Sequence, residues 1–210
     1  PEDPELLFLE AVLLHQRKDL AGAERALREI LRLPKRVSFA GSDSGLYSYR
    51  PRLFLTQILR EQNRYADAEA TLSEVVAECP SLTAAWRQLA EVCFEQSRWT
   101  EMQKALRHLA HDPAECLQGD FLLGQAYLLQ KEYGQARTIL ESVVARAPEA
   151  IEPKVMLSRA YLNDGKDFDT AERLLREILA RDPQHREANH NLQVLQRIKT
   201  TPPADLSIPS

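Results

Sequence analysis

A short pattern recurs along this chain at an almost constant interval: an aromatic residue is followed three positions later by a small or flexible one. The four clear copies begin at Tyr65, Trp99, Tyr133 and Phe168, so they are spaced 34, 34 and 35 residues apart. A degenerate fifth copy, Leu20-Ala21-Gly22-Ala23, lies 45 residues before Tyr65, which indicates an insertion of 11 residues. A period of this length predicts a stack of similar units, each of which buries its apolar face against its neighbours.

Within each unit the apolar residues are three and four positions apart, as at Leu55, Leu59, Ala68, Leu72 and Val75. This spacing places them on one face of a helix, and a turn-forming segment divides every unit into two antiparallel helices. The predicted units span about residues 4–34, 49–82, 83–116, 117–150 and 151–185, with an inserted loop at 35–48, a capping helix at 186–199 and a disordered tail at 200–210.

The unit resembles the tetratricopeptide repeat, whose 34-residue pattern places Leu, Gly and Tyr in the first helix, Ala in the second, and Pro at the end. The fullest match is Leu123-Gly124-Gln125-Ala126-Tyr127, followed by Tyr133-Gly134-Gln135-Ala136 and Pro148. The resemblance implies an all-α, right-handed superhelical solenoid of five helix pairs with a C-terminal capping helix. The first unit departs from the pattern, because Glu10 stands where the other units have a buried Leu.

The charge distribution argues against nucleic-acid binding. The chain has 27 Lys and Arg against 31 Asp and Glu, and none of the five units has a basic excess that could release counterions from phosphates. No apolar run is long enough to cross a membrane, and the N-terminus lacks the layout of a secretory signal, so we expect a cytoplasmic protein. Cys79, Cys93 and Cys116 are too far apart for a zinc knuckle and are expected to be ordinary thiols.

Two segments could carry chemistry, and both have a simpler structural interpretation. Asp167-Phe168-Asp169 has the spacing of the acidic pair that holds a metal and a sugar nucleotide in many glycosyltransferases, but Phe168 occupies the packing position of the repeat. His108 and His111 could be ligands of a metal, yet cationic side chains also suit the end of a helix. We therefore predict no catalytic residue, no cofactor and no metal site in this segment.

Surface recognition is the function that these patterns favour. In this architecture the first helix of each pair lines the concave side, and we predict that a protein or peptide ligand binds there. The predicted groove residues are Arg50, Gln57, Arg60, Arg87, Glu91, Phe94, Phe121, Gln125 and Arg159. Arg60 and Arg87 are expected to donate to carboxylates or carbonyls of the ligand above an aromatic floor at Phe121. An alternative is that some apolar side chains on this surface pack between repeats and do not contact a ligand. This alternative stays open for Phe94 and for Leu128, which lies on the same predicted surface.

Family members that grip the acidic tails of heat-shock chaperones use Lys, Asn and Arg side chains in this groove. The matching positions here are Leu53, Gln57, Gln88, Gln118 and Leu122, which disfavours a chaperone adaptor.

A narrower resemblance concerns the inserted loop. Residues 39–52 and 60–64 look like the repeat region that follows the catalytic domain of some bacterial family-two glycosyltransferases. That resemblance, with a first residue other than Met, implies a segment of a longer enzyme that presents a protein or glycan acceptor, and the partner would then include its own upstream catalytic domain. Self-association through the irregular N-terminal repeat is a third hypothesis.

Overall fold

The computed structural model describes residues 3–33 and 49–200, and within these ranges all regular secondary structure is helical. The helices are α1 (Pro4–Gln16), α2 (Leu20–Arg32), α3 (Tyr49–Glu61), α4 (Tyr65–Glu78), α5 (Thr83–Glu95), α6 (Trp99–Leu106), α7 (Pro113–Leu129), α8 (Tyr133–Arg146), α9 (Ile151–Asp164), α10 (Phe168–Arg181) and α11 (Arg186–Thr200). The predicted all-α fold of successive helix pairs is confirmed. The inserted loop at 35–48 lies outside the described residues, as does the predicted tail except for Thr200, the last residue of α11.

The chain divides into two compact units, Pro1–Cys116 and Leu117–Ser210. Helices α1–α6 and the start of α7 belong to the first unit, and the rest of α7 with α8–α11 belongs to the second. The first core contains Leu27, Ile30, Ile58, Leu59 and Leu72. The second is built around Leu140, Leu175, Ile178 and Leu195.

Close packing inside each helix pair depends on a small residue in its first helix. Thr56, Ala90 and Ser158 are completely buried at equivalent places in α3, α5 and α9. At the corresponding Gly124 of α7, a Cβ atom would lie 2.7 Å from Cγ of Leu140 in α8. The two helices therefore approach as closely as the small residue permits.

The turn between the two helices has the same conformation in four of the pairs. Lys18, Asn63, Ser97 and Lys131 each have a positive φ of 56–63°. The next N–H bonds back to a carbonyl near the end of the first helix, as Arg64 N does to Leu59 O at 2.8 Å. This is a Schellman motif, and it reverses the chain within three residues without glycine.

Ion pairs join successive helix pairs at one recurring place, the fifth residue of the second helix. Glu24 of α2 accepts from Arg64 at 2.8 Å, and Glu69 of α4 accepts from Arg98 at 2.6 Å. In the second unit the same position is taken by Arg137, which donates to Asp164 at 2.8 Å, and by Glu172, which accepts from Lys199 at 2.6 Å. These bonds fix the register of α2, α4, α8 and α10 against the helices that follow them.

Candidate functional site

The first helices of the first unit, α1, α3 and α5, present one shared surface, which we call the α1–α3–α5 face. It contains two adjoining recesses that have Gln57 and Gln88 in common. The polar recess, of about 430 Å³, is lined by Gln57, Arg60, Glu61, Arg87, Gln88, Glu91 and Glu95. The apolar recess, of about 300 Å³, is lined by Phe8, Val12, Arg50, Leu53, Phe54, Gln57 and Gln88.

Helical spacing explains why these side chains meet. Arg50, Leu53, Gln57 and Arg60 follow one another at intervals of three or four residues, so they share one side of α3. The next helix pair repeats this arrangement 34 residues later, which brings Arg87 and Glu91 beside them. Five of the predicted groove residues, Arg50, Gln57, Arg60, Arg87 and Glu91, thus line the two recesses.

The apolar recess has an aromatic lining. The rings of Phe8 and Phe54 lie 5.7 Å apart, and His15 meets Phe54 edge-on at 5.4 Å. The guanidinium of Arg50 lies 5.8 Å from the centre of the Phe8 ring. The recess therefore offers an aromatic and aliphatic surface, bordered by one cation, that suits a large apolar ligand residue.

The polar recess differs from the expectation that its arginines are available to ligand carboxylates. Arg60 donates to Glu91 at 2.5 Å and to Glu95 at 2.7 Å. Arg87 donates to Glu115 at 2.6 Å and also to Glu91. Partial burial lowers the pKa of Arg60, but its bonds with Glu95 and Glu91 outweigh that effect and raise the pKa above its ordinary value. Both guanidiniums are therefore already paired with carboxylates of the protein.

The acidic residues of this recess outnumber the basic ones. Its lining holds three glutamates against two arginines. Glu61 lies 2.6 Å from Nε2 of His15, and this hydrogen bond holds the pKa of the Glu61 carboxyl below its ordinary value. The recess carries a net negative charge at neutral pH, and this favours cationic or hydrogen-bond-donating ligand groups.

Gln88 has one property that the sequence did not reveal. Its side-chain oxygen is buried and has no hydrogen-bond partner among the described residues. Nearly all buried polar atoms in proteins have a partner, because leaving one unpaired costs about 1–3 kcal/mol. Gln88 lines both recesses, so the residue that holds this unpaired acceptor lies at the site, with the oxygen itself buried beneath the surface. In the sequence, Gln88 is notable only because it stands where chaperone-binding family members have a cationic or amide side chain that grips the acidic tail.

The remaining predicted residues have other surroundings. Phe94 packs edge-on against Trp99 of its own helix pair at 5.8 Å. Leu128, for which both exposure and packing were left open, is buried in the second core, and Phe121 packs against that core. Arg159, in α9 of the second unit, lies 3.6 Å from Glu187. Phe121, Gln125 and Arg159 all belong to the second unit, so the site described here rests on the first unit alone.

The two segments considered for chemistry have structural contacts. Asp167 caps α10 by accepting from Thr170 N at 3.0 Å, and Asp169 pairs with Lys199 at 2.7 Å. The ring of His108 stacks on Trp86 at 3.7 Å. Residues 3–33 and 49–200 contain no group of three or more His, Cys, Asp or Glu residues placed to hold a metal ion. None of the described helices combines the length and the apolar character that crossing a membrane requires.

Comparison with known proteins agrees with the repeated geometry. Family models of the tetratricopeptide repeat match residues 55–101 and 127–195. The chain contains tetratricopeptide repeats. A tetratricopeptide repeat protein from Parabacteroides merdae has a similar fold, with a TM-score of 0.70 at 15% identity over 93% of this chain and 73% of that one. YrrB, described as a tetratricopeptide repeat protein with an unusual peptide-binding site, has a TM-score of 0.59 at 18% identity over 71% of this chain and 77% of its own.

One sequence relative carries the name of an enzyme. Protein O-mannosyl-transferase Tmtc3 of Drosophila melanogaster is 26% identical over 107 residues. This match covers 51% of the present chain and 12% of Tmtc3, so the tetratricopeptide repeats here correspond to a small part of that protein.

Proposed function

We propose that the first unit is a peptide-binding module and that the ligand lies across the α1–α3–α5 face. The observation that carries this proposal is the buried, unpaired oxygen of Gln88 at the meeting point of the polar and apolar recesses. Because this oxygen is buried, a ligand N–H group would reach it once the Gln88 side chain turns toward the recesses. The new hydrogen bond would satisfy an acceptor that the described residues leave unsatisfied, and binding would recover the cost of its burial. The description of YrrB as a peptide binder with the same fold is consistent with this use of the surface.

The two recesses define what such a peptide would look like. The paired arginines and the excess of glutamates in the polar recess favour a Lys or Arg side chain over an acidic one. The aromatic lining of the other recess favours a large apolar residue next to it. We therefore expect a short segment in which a basic residue and an aromatic or aliphatic residue lie close together.

Selection from a phage-displayed library of random peptides on the immobilised protein tests this proposal. We expect enrichment of peptides that combine basic and apolar residues, and a loss of affinity of about tenfold or more in the Gln88→Leu variant, which corresponds to about 1.4 kcal/mol. The same variant should melt no lower than the wild type, because it removes an unpaired buried acceptor. Gln193→Leu, which replaces an exposed glutamine of α11, is the control. Enrichment of acidic peptides, or unchanged binding by Gln88→Leu, would contradict the proposal.

We also propose that these repeats are the acceptor-presenting region of a larger bacterial, cytoplasmic glycosyltransferase. The likeness to Tmtc3 of Drosophila melanogaster supports the association with a glycosyltransferase and says nothing of a bacterial source or a cytoplasmic location. The peptide-binding face would then hold the protein acceptor near a catalytic domain encoded upstream. The coding sequence upstream of Pro1 tests this directly. A nucleotide-sugar-binding domain there is the expected result, and a start codon or an unrelated domain would contradict it.

A further inference from the structure

Helix α1 has an exposed leucine stripe on the side away from the first core. Leu6, Leu9 and Leu13 have exposed fractions of 66%, 55% and 47%. Intervals of three and four residues place them on one face of the helix. Together with Leu129 and Ile198 they make up the large apolar side chains that are exposed in the described part of the chain.

The other helix pairs show what this stripe is built to contact. Counted from the start of each first helix, Leu6 and Leu13 occupy the third and tenth positions. Residues at these two positions are buried in α3, α5, α9 and α11, where they are Pro51 and Ile58, Ala85 and Val92, Pro153 and Ala160, and Ala188 and Leu195. Each of these helices packs against the second helix of the preceding pair, α2, α4, α8 or α10 respectively. The stripe on α1 is thus a surface of the kind that receives a helix.

We propose that the stripe on α1 binds an amphipathic helix of a separate partner protein, antiparallel to α1, in the place that a preceding second helix would take. The bound helix would bury an apolar face against Leu6, Leu9 and Leu13. This surface is distinct from the α1–α3–α5 face, on which Phe8 and Val12 lie.

Two charged residues beside the stripe define the chemistry of that helix. Arg17 is exposed and occupies the place of Gln62, which bonds the fifth residue of the preceding second helix, Glu24, at 3.1 Å. Glu10 is exposed where α3 has the buried Leu55. An antiparallel partner would therefore carry a carboxylate near its start, facing Arg17, and a basic residue roughly two turns later, facing Glu10.

A second copy of this chain suits the stripe less well. Pairing two α1 helices antiparallel about Leu9 would place Glu10 of one copy next to Glu10 of the other, and like charges at that distance repel. The second helices α2, α4, α8 and α10 are already covered by the pairs that follow them.

A stapled, fluorescently labelled peptide with the sequence of α2 is a suitable probe, because it carries Glu24 at its fifth position. In this peptide the substitution Leu31→Lys places a basic side chain opposite Glu10 of the protein. We expect saturable binding by fluorescence anisotropy, weakened at least tenfold in the Leu9→Lys protein. The matched control is Leu129→Lys, since Leu129 is 61% exposed in the second unit and should leave binding unchanged.

Charge exchange separates specific docking from nonspecific contact between apolar surfaces. The Glu10→Lys protein should bind the Leu31→Lys peptide more weakly than the wild-type protein does. It should instead bind the Leu31→Glu peptide, whose acidic side chain would face the new lysine. Absence of binding, or equal binding by the Leu9→Lys and Leu129→Lys proteins, would overturn the proposal. Sedimentation that shows a dimer abolished by Leu9→Lys would also overturn it, in favour of a second copy as the occupant.

Discussion

Gly124 and Gly134 lie in consecutive helices of the second unit, but their surroundings differ. A Cβ atom on Gly124 would lie 2.7 Å from Cγ of Leu140, whereas a Cβ atom on Gly134 would have no neighbour within 4 Å. We expect Gly124→Ala to lower the free energy of unfolding by about 1–3 kcal/mol, because overpacking at the helix contact exceeds the gain in helix propensity. Urea unfolding followed by circular dichroism measures this change.

Gly134→Ala is the matched control for that substitution. It adds the same methyl group to a helix without a clash, so it should raise the free energy of unfolding by up to about 1 kcal/mol. If the two substitutions changed stability in the same direction, the close approach of α7 and α8 would not be what requires a small residue at position 124.

The buried carboxylate of Glu24 joins the first two helix pairs. Burial raises its pKa, but the hydrogen bonds from Arg64 and Gln62 outweigh that effect and hold the pKa below the ordinary value of 4.5. A carboxyl group whose pKa is lower in the folded than in the unfolded state stabilises the protein at pH values above its unfolded-state pKa. This contribution to stability is lost as the pH falls through the folded-state pKa.

Glu24→Gln should therefore destabilise the protein by about 1 kcal/mol at pH 7, because the charge-assisted bonds with Arg64 are lost. The difference between variant and wild type should shrink as the pH falls below 4.5, the unfolded value. Urea titrations of both proteins on either side of that pH measure the difference. An equally large difference in the free energy of unfolding at acidic pH would show that packing, and not the carboxylate charge, accounts for the lost stability.

At the scale of the elements, the Schellman turns hold four non-glycine residues at positive φ. Lys131 is exposed and has φ 62°, a conformation that costs a side chain about 1 kcal/mol. Lys131→Gly should raise the free energy of unfolding by about 0.5–1 kcal/mol, after the larger chain entropy of glycine in the unfolded state is subtracted. Thermal unfolding compared with Lys131→Ala, which keeps a Cβ atom, checks this; equal melting temperatures for the two variants would contradict it.

The helix pattern was predictable from the sequence because apolar spacing and turn residues agree in every repeat. The start of α7 was not. The repeat pattern places a proline near the end of each unit, which for the unit at 83–116 is Pro113, yet Pro113 is the first residue of α7. The predicted start of the fourth repeat at 117 lies within this helix. Asp112 accepts from Ala114 N at 3.0 Å and from Glu115 N at 3.2 Å, so it caps a helix that proline can begin. A proline alone does not distinguish the end of one element from the start of the next.

At the scale of the whole molecule, periodicity predicted which residues of the first unit share a face but not their electrostatic state. Arg50, Gln57, Arg60, Arg87 and Glu91 were predicted to share one groove, and all five line the two recesses. That a ligand binds them stays a prediction. The pairing of Arg60 with Glu95 was not predicted, because Glu95 is not among the predicted groove residues, although both residues line the same recess. The unpaired oxygen of Gln88 depends on atomic burial, which no spacing rule reports.

These contacts change the kind of ligand that we expect. The arginines in the sequence suggested a site for carboxylates. In the structure these arginines are already paired with Glu91, Glu95 and Glu115, and the lining of the polar recess has more acidic than basic residues. Removing a positive charge from the polar recess should therefore not weaken the binding of a basic ligand. The proposed function requires that the ligand occupies the α1–α3–α5 face.

Two-dimensional ¹H–¹⁵N NMR, with a peptide obtained from the library titrated into the labelled protein, tests that claim most directly. We predict that the largest shift changes occur in α1, α3 and α5 and include the side-chain amide of Gln88, whose oxygen would gain a hydrogen bond. Changes centred on α2 and α4, or confined to the second unit, would contradict the account.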